Sequence, residues 1–433
     1  MLDRKIYSKL EEWKEREDKL PLVIKGARQV GKTTSILEFA KRHYKAIYDL
    51  NFFRSPSLMT IFDGDLDSDT ILTKLSFRFP DIRFSEGNTL IFLDEMQHCP
   101  QARTALKFLA NDSRFDVIAT GSLLGINYKE TESFPVGYTE EIEMMSLDFE
   151  EFLWAMGIAD STIEKIRQSF KSRTKVDSFF HESFMGLFKL YIVIGGMPAV
   201  VASYVKNKDY SRALKLQRGI IADYKNDIVK YADNMEKQKI LSCFSSITTQ
   251  LSKDYKKFQY SIVEKKAGAR KYGRALNWLR DAGIISFCYN LSRPELPLEA
   301  FRIETEFKVY MNDTGLLISM YEDSTADSIL NGNLGIFKGA IYENIIAECL
   351  RKNDRWLYYF SPSSQKEIDF ILNIRGEVIA LEVKSGGNTK SKSVKSLIND
   401  SSYNVKKGIR LSGKNVGDDP VIESYPLYMA FLL

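Results

Sequence analysis

The octapeptide Gly26-Ala27-Arg28-Gln29-Val30-Gly31-Lys32-Thr33 constrains this chain more than any other stretch of it. Its spacing, GxxxxGK[ST], lets the backbone curl until successive N–H groups converge on one point, with glycines where side chains would obstruct the curl. Leu22-Val23-Ile24 supplies an apolar strand before the loop, and residues 34–40 supply a helix after it. A helix opening on such a loop turns its N-terminus to the same point, which favours an anion. The expected ligand is therefore a nucleoside triphosphate, ATP with Mg²⁺. The cradle runs from Gly26 through Thr33 to Thr34, Lys32 reaches the β- and γ-phosphates, and the Thr33 hydroxyl takes a place on the metal.

A second element lies about sixty residues on, in Leu90-Ile91-Phe92-Leu93-Asp94-Glu95. Four apolar residues predict a buried strand, and two carboxylates end it. Asp94 is placed to hold the Mg²⁺ water shell, and Glu95 to orient or deprotonate an attacking water. A further strand ends in Ala119-Thr120-Gly121-Ser122. The Thr120 and Ser122 hydroxyls there either sense the γ-phosphate or merely cap the next turn. Arg114, just before that strand, is a candidate arginine finger. Together these elements point to hydrolysis rather than phosphate transfer.

At 433 residues the chain is too long for one core, and two to four domains are expected. Short apolar runs at 21–24, 46–50, 89–93, 115–119 and 140–145 alternate with amphipathic stretches, the pattern of a parallel α/β sheet in a P-loop domain over 1–150. Residues 151–232 read as a helical connecting region. Residues 233–320 read as a winged helix: two helices, a compact basic helix near 265–280, and strands at 284–289 and 301–310. Residues 321–433 form the tail, with a helix at 339–351 and strands at 356–360, 368–374 and 378–383.

The four cysteines are scattered with no CxxC pair, which predicts reduced, buried thiols. An N-terminus without an apolar h-region, and the lack of roughly 18 consecutive apolar residues, predict a cytoplasmic protein without a membrane partner. The formal net charge of +4 is too small to imply nucleic acid, so local clustering has to carry that claim.

Such a cluster exists. Between Lys253 and Arg280 stand nine basic residues against Asp254 and Glu264. Lys265, Lys266, Arg270, Lys271 and Arg274 are the candidate DNA contacts, and Arg270 and Arg274 share a helix face at i,i+4. A solvated face, or a winged helix used for a protein partner, is the alternative reading. In the tail, Glu343 on the opening helix, Asp369 on a strand, and Glu382-Val383-Lys384 ending the next match the PD-(D/E)xK nuclease arrangement. Asp369 and Glu382 would chelate Mg²⁺ and Lys384 would position water. A degenerate fold that only binds or docks would use the same residues structurally.

With these motifs in place, the chain resembles the prokaryotic family of AAA-type ATPases fused to a conserved C-terminal region of undetermined function. The resemblance is carried by Gly26 to Thr34, Phe92-Leu93-Asp94-Glu95-Met96-Gln97 and Thr120-Gly121-Ser122. It continues in Ser146-Leu147-Asp148-Phe149-Glu150-Glu151-Phe152, Gly195-Gly196-Met197-Pro198, Tyr310-Met311-Asn312-Asp313-Thr314-Gly315-Leu316 and Gly339-Ala340-Ile341-Tyr342-Glu343-Asn344. It implies an α/β fold with an AAA-type parallel sheet, then a helical and winged-helix segment, then a restriction-endonuclease-like tail. ATP binding follows from it, while the biological role does not. Three uses are compatible: an ATPase coupled to DNA, a nucleotide-gated switch acting on a protein partner, or an ATP-dependent nuclease, any of them as a possible oligomer.

Overall fold

The computed structural model describes residues 2–121, 137–253, 257–333, 338–363, 366–385, 391–417 and 419–433. It forms two compact units, one of Arg4–Met145 with Asp281–Gly283, the other built from Ser146–Arg280 and Ile284–Leu433.

In the first unit, α1 (Ile6–Glu15) precedes β1 (Leu22–Lys25), α2 (Lys32–His43), β2 (Ala46–Asn51) and α3 (Ser68–Arg78). Then come β3 (Thr89–Asp94), α4 (Pro100–Leu109), β4 (Asp116–Gly121) and β5 (Glu140–Glu143). The strands form one parallel sheet in the order β2-β3-β4-β1-β5. A parallel sheet is covered on both faces, which is why the apolar run 90–93 of β3 is buried at every position. The core on one face joins Tyr48, Leu50, Ile91, Leu93, Val117 and Ala119 to helix residues such as Leu75 and Leu106. Ile36, Phe39 and Ala40 of α2 recur at helical spacing and are all buried. Asp67 caps α3 by accepting from the Thr70 N–H at 2.9 Å. Because β4 lies between β1 and β3, the carboxyl ends of all three open at one edge of the sheet, where ligands of such folds bind.

The second unit begins with α5 (Phe149–Ala155), α6 (Asp160–Ser172), α7 (Ser178–Ile194), α8 (Pro198–Asn207) and α9 (Tyr210–Tyr231). A reciprocal capping box between Asp148 and Glu151 starts α5. There follow α10 (Lys237–Leu251), α11 (Tyr260–Val263), α12 (Ala269–Asp281), the hairpin β6 (Ile285–Leu291) and β7 (Arg302–Met311), α13 (Thr314–Ser319) and α14 (Asp323–Leu330). The chain ends with α15 (Lys338–Lys352), β8 (Tyr358–Ser363), β9 (Lys366–Ile374), β10 (Glu377–Val383), α16 (Lys392–Ile398), β11 (Lys407–Ser412) and β12 (Ile422–Pro426). All seven strands share one sheet, ordered β12-β11-β10-β9-β8-β6-β7. Parallel pairing of Tyr289 with Tyr358 and Asn290 with Tyr359 stitches the hairpin to the tail. The segments 233–320 and 321–433, expected as separate domains, thus contribute to a single sheet.

Most of the later motifs meet in one buried polar network of this unit. Asp313 accepts from the Ser146 hydroxyl and the Gly196 N–H, both at 2.8 Å. Lys352 donates to Ser146 Oγ at 2.9 Å and the Leu147 carbonyl at 2.8 Å, and pairs with Glu348 at 2.5 Å. Glu348 in turn accepts from the Thr314 N–H and hydroxyl at 2.6 Å each, and Asn344 donates to Thr314 Oγ1 at 2.9 Å. Polar groups this deep are tolerated because each has a partner, and the network fixes where these segments cross. Cys99, Cys243, Cys288 and Cys349 are buried and form no disulfide among the described residues. Among the described residues no helix is long and apolar enough to cross a membrane.

Candidate functional site

Immediately after β1 the chain curls through positive φ at Gly26 (148°), Gln29 (66°) and Gly31 (96°). A Cβ at Gly26 would stand 2.0 Å from the Met144 carbonyl oxygen, so only glycine lets the loop lie against that segment. Gly31 begins α2 in the left-handed region that glycine enters freely. Lys32 is buried, and its ammonium donates to the carbonyls of Gly26 and Ala27 at 2.8 Å each. Burial pushes its pKa down to about 8, against the pull of Glu95 and Asp94 upward. A second cation braces the loop from outside. The buried Arg4 donates to the Val30 carbonyl at 3.0 Å and to the Met145 carbonyl at 2.8 Å.

Opposite the loop, Asp94 is almost fully buried. Its two oxygens accept from the Thr33 hydroxyl at 3.1 and 3.0 Å, from Asn51 Nδ2 at 2.6 Å, and from the Thr120 hydroxyl. The sheet register explains the meeting: Asn51 is paired with Asp94, Leu93 with Ala119, and Ile24 with Thr120, so four strand ends reach one level. One carboxylate and one hydroxyl facing a phosphate cradle are hard oxygen donors. They fit Mg²⁺, which keeps several waters and takes one or two carboxylates plus substrate phosphates. Glu95 adopts a left-handed backbone (φ 56°), its N–H 3.4 Å from Thr120 Oγ1. Its carboxylate accepts from Gln97 Nε2 at 2.5 Å.

Thr120 therefore turns its hydroxyl onto Asp94 rather than standing clear of it. Ser122 lies outside the described residues. Arg114 is not brought to the site: it precedes the opposite, amino end of β4 and pairs with Asp69 at 2.6 Å and Asp112 at 2.7 Å. Asn51 and Arg4 are the contributors that sequence reasoning missed. The alternation of β2 puts Asn51 at a strand end, but only the strand order makes Asp94 its neighbour. Arg4 had no local signal, since its partners lie 26 and 141 residues away.

In the tail, Asp369 accepts from the Val383 N–H at 2.7 Å, and Lys384 sits 2.5 Å from Glu382. The other Glu382 oxygen is buried and accepts no hydrogen bond among the described residues. Glu343 accepts from Tyr310 Oη at 3.1 Å and lies 3.6 Å from the fully buried Lys308 ammonium. Lys308 also pairs with Glu367 at 2.5 Å, and the carboxylates of Glu343, Glu367 and Asp369 hold its pKa far above the ordinary lysine value despite burial. Among the described residues no group of three or more His, Cys, Asp or Glu side chains is disposed to hold a metal ion. A resident ammonium beside Glu343 gives the physical reason for that carboxylate.

Lys265, Lys266, Arg270, Lys271 and Arg274 are all exposed, along and just before α12. Tyr272, Ala275, Leu276 and Leu279 bury the other side of the helix. Lys271 is engaged by both oxygens of Glu264 at 2.7 Å.

A curled glycine loop between a strand and a helix, a buried lysine inside it and a strand-end carboxylate opposite define a P-loop ATPase module. Residues 18–153 match the family model described as an AAA domain, so the chain carries an AAA-type, ATP-binding domain. Residues 185–327 and 338–423 match two domains of unknown function, DUF8612 and DUF4143. No curated protein matches the chain in sequence. Among solved structures, a Walker-type ATPase of Pyrococcus abyssi is similar at 14% identity over 74% of this chain and 96% of that one, with a TM-score of 0.45. The Aeropyrum pernix ORC1 protein in complex with DNA is similar at 12% identity over 76% of this chain and 90% of that one, with a TM-score of 0.29. A STAND protein with a tetratricopeptide repeat sensor from Pyrococcus horikoshii is similar at 13% identity over 81% of this chain and 45% of that one, with a TM-score of 0.28.

Proposed function

We propose that the protein is a Mg²⁺-dependent ATPase whose nucleotide cycle is coupled to DNA binding through the exposed cations of α12. The observation that carries the ATPase is the Thr33–Asp94 pair, a hydroxyl and a carboxylate at 3.0–3.1 Å across the mouth of the cradle. Thr33 and Asp94 would hold Mg²⁺, which would supply neutralisation of the charge that develops on the phosphates. Lys32 supplies a positive charge that is poorly solvated and therefore strongly felt by the phosphates. Glu95, one residue past the metal carboxylate, receives or orients the proton of the attacking water. Asn51 and Thr120 keep Asp94 from rotating.

Phosphate recognition by Lys265, Lys266, Arg270, Lys271 and Arg274 gives affinity that is insensitive to sequence and sensitive to salt. The deciding experiment is the rate of phosphate release with and without single- and double-stranded DNA, beside Lys32→Ala and Glu95→Gln. The reading expects no nucleotide binding for Lys32→Ala and binding without turnover for Glu95→Gln. DNA should alter the wild-type rate, with affinity that falls as salt rises. ATP turnover with no DNA affinity at low salt would favour the switch acting on a protein partner.

One observation favours a second reading, in which the tail cleaves nucleic acid. The unpartnered buried oxygen of Glu382, beside Lys384, is an acceptor that a cation would satisfy. Mg²⁺- or Mn²⁺-dependent cleavage that disappears in Asp369→Ala supports this reading, and an inert wild type on several DNA forms rejects it.

A further inference from the structure

We infer that Gln97 positions the hydrolytic step, its amide NH₂ holding the Glu95 carboxylate and its carbonyl oxygen receiving a proton-bearing edge of the attacking water. This rests on the ATPase reading and adds to it a residue for which composition and motif spacing assigned no task.

Glu95 leaves β3 in a left-handed backbone, a conformation uncommon for a long side chain, and the following turn is closed by the His98 N–H on the Glu95 carbonyl at 3.1 Å. That turn, Met96–His98, returns the Gln97 side chain to Glu95, where Nε2 meets Oε2 at 2.5 Å. An ionised carboxylate only accepts, so the amide must present its NH₂ to it and its oxygen elsewhere. The oxygen, Oε1, is buried and has no hydrogen-bond donor among the described residues. Leaving a buried acceptor unsatisfied is costly, so this oxygen calls for a donor beyond those described, such as a water.

At this end of β3, beside the carboxylate placed to activate water, the fitting donor is that water. One of its O–H groups would point to Glu95 and the other to Gln97 Oε1, leaving a lone pair for the γ-phosphorus. In the reaction the water oxygen bonds to the γ-phosphorus, and the bond from that phosphorus to the β–γ bridging oxygen breaks. The electron pair departs on ADP and the water proton passes to Glu95. A neutral amide cannot take that proton, so Gln97 orients and does not act as the base.

The test uses the full chain with saturating MgATP and compares wild type, Glu95→Gln, Gln97→Met and Gln97→Glu. Phosphate release, affinity for a fluorescent ATP analogue and thermal midpoint are measured for each. Both Gln97 variants are expected to lose roughly tenfold or more in turnover while their affinity stays within about twofold of wild type. Gln97→Met keeps the length without the hydrogen bonds, and Gln97→Glu keeps the shape while removing the donor to Glu95. Wild-type turnover in the folded Gln97→Met protein overturns the inference and leaves the ATPase reading standing, as does a loss matched by an equal loss of affinity. If Gln97→Met fails to fold, the same criteria apply to Gln97→Glu. A wild type that binds ATP and never hydrolyses it overturns both.

Discussion

The Thr33 hydroxyl lies within 3.1 Å of both oxygens of Asp94, although the two residues are 61 positions apart in the chain. Asp94→Asn would replace one acceptor by a donor facing Thr33, Asn51 and Thr120, all of which donate to it. We expect ATP affinity in Mg²⁺ to fall to the value measured in EDTA, a loss of at least about tenfold, since donor–donor contact and loss of the anionic ligand act together. Nucleotide titrations with and without Mg²⁺ measure this directly. An unchanged metal dependence would remove Asp94 from the metal site.

Lys32 gives the site a pH signature. Burial lowers its pKa to about 8, so in the nucleotide-free protein the ammonium is present below that pH and progressively lost above it. Bound phosphates favour the charged form, so above about pH 8 binding must take up a proton. Affinity should be flat near neutrality and weaken by as much as about tenfold per unit beyond pH 8. Calorimetry in buffers of different ionisation enthalpy reads the uptake, which should be near zero at neutrality and rise toward one proton. The same depression means that the charged side chain costs the native state stability below pH 8. That cost fades between pH 8 and the ordinary lysine value of 10.5.

Arg4 braces the cradle at Val30 and at Met145. In Arg4→Met the loop keeps its sequence but loses the outer support of its backbone, and ATP binding should weaken several-fold. Trp13→Phe is the control, since it removes a hydrogen bond from Trp13 Nε1 to the Leu20 carbonyl (2.9 Å) in the same N-terminal region without touching the loop. Equal nucleotide affinities for the two variants would reduce Arg4 to a fastener of the N-terminus.

Lys308 predicts a large effect far from the nucleotide. Removing one member of a buried charge group leaves the others uncompensated, at a cost of roughly 3–5 kcal/mol. Lys308→Met should therefore unfold at markedly lower denaturant than wild type, with Glu343→Gln in the same background recovering part of the loss. Chemical denaturation of the single and double variants decides it. Additive losses would show that the two groups do not interact.

Much of the ATPase site was legible because its parts are local. Glycine spacing fixes a loop, and an apolar run fixes the strand whose end must carry Asp94. What stayed hidden depends on which strand lies beside which. Asn51 joins Asp94 only because β2 borders β3, and Thr120 reaches it only because β4 slips between β1 and β3. Arg114 is the opposite case: close in sequence to that strand, it stands at its amino end, paired with Asp69 and Asp112. Lys308 has no local signal of burial, which is intelligible only from Glu343 and Glu367, supplied later in the chain. In the tail, β11 and β12 escaped notice because lysine, glycine, arginine and serine interrupt their apolar residues. The tail's motif residues lie on or beside the expected helix and strands, and Glu343 meets the Lys308 ammonium there.

The shared sheet of the hairpin and the tail sets a limit on dissection. A fragment starting after residue 320 would leave β8 without the neighbour it has in Tyr289 and Asn290. Such an exposed edge is a template for pairing with other copies, so the excised piece would be expected to aggregate. Binding screens or crystallisation aimed at the tail should therefore carry β6 and β7 with it, and a negative result from a shorter piece would report its frayed edge rather than its ligands.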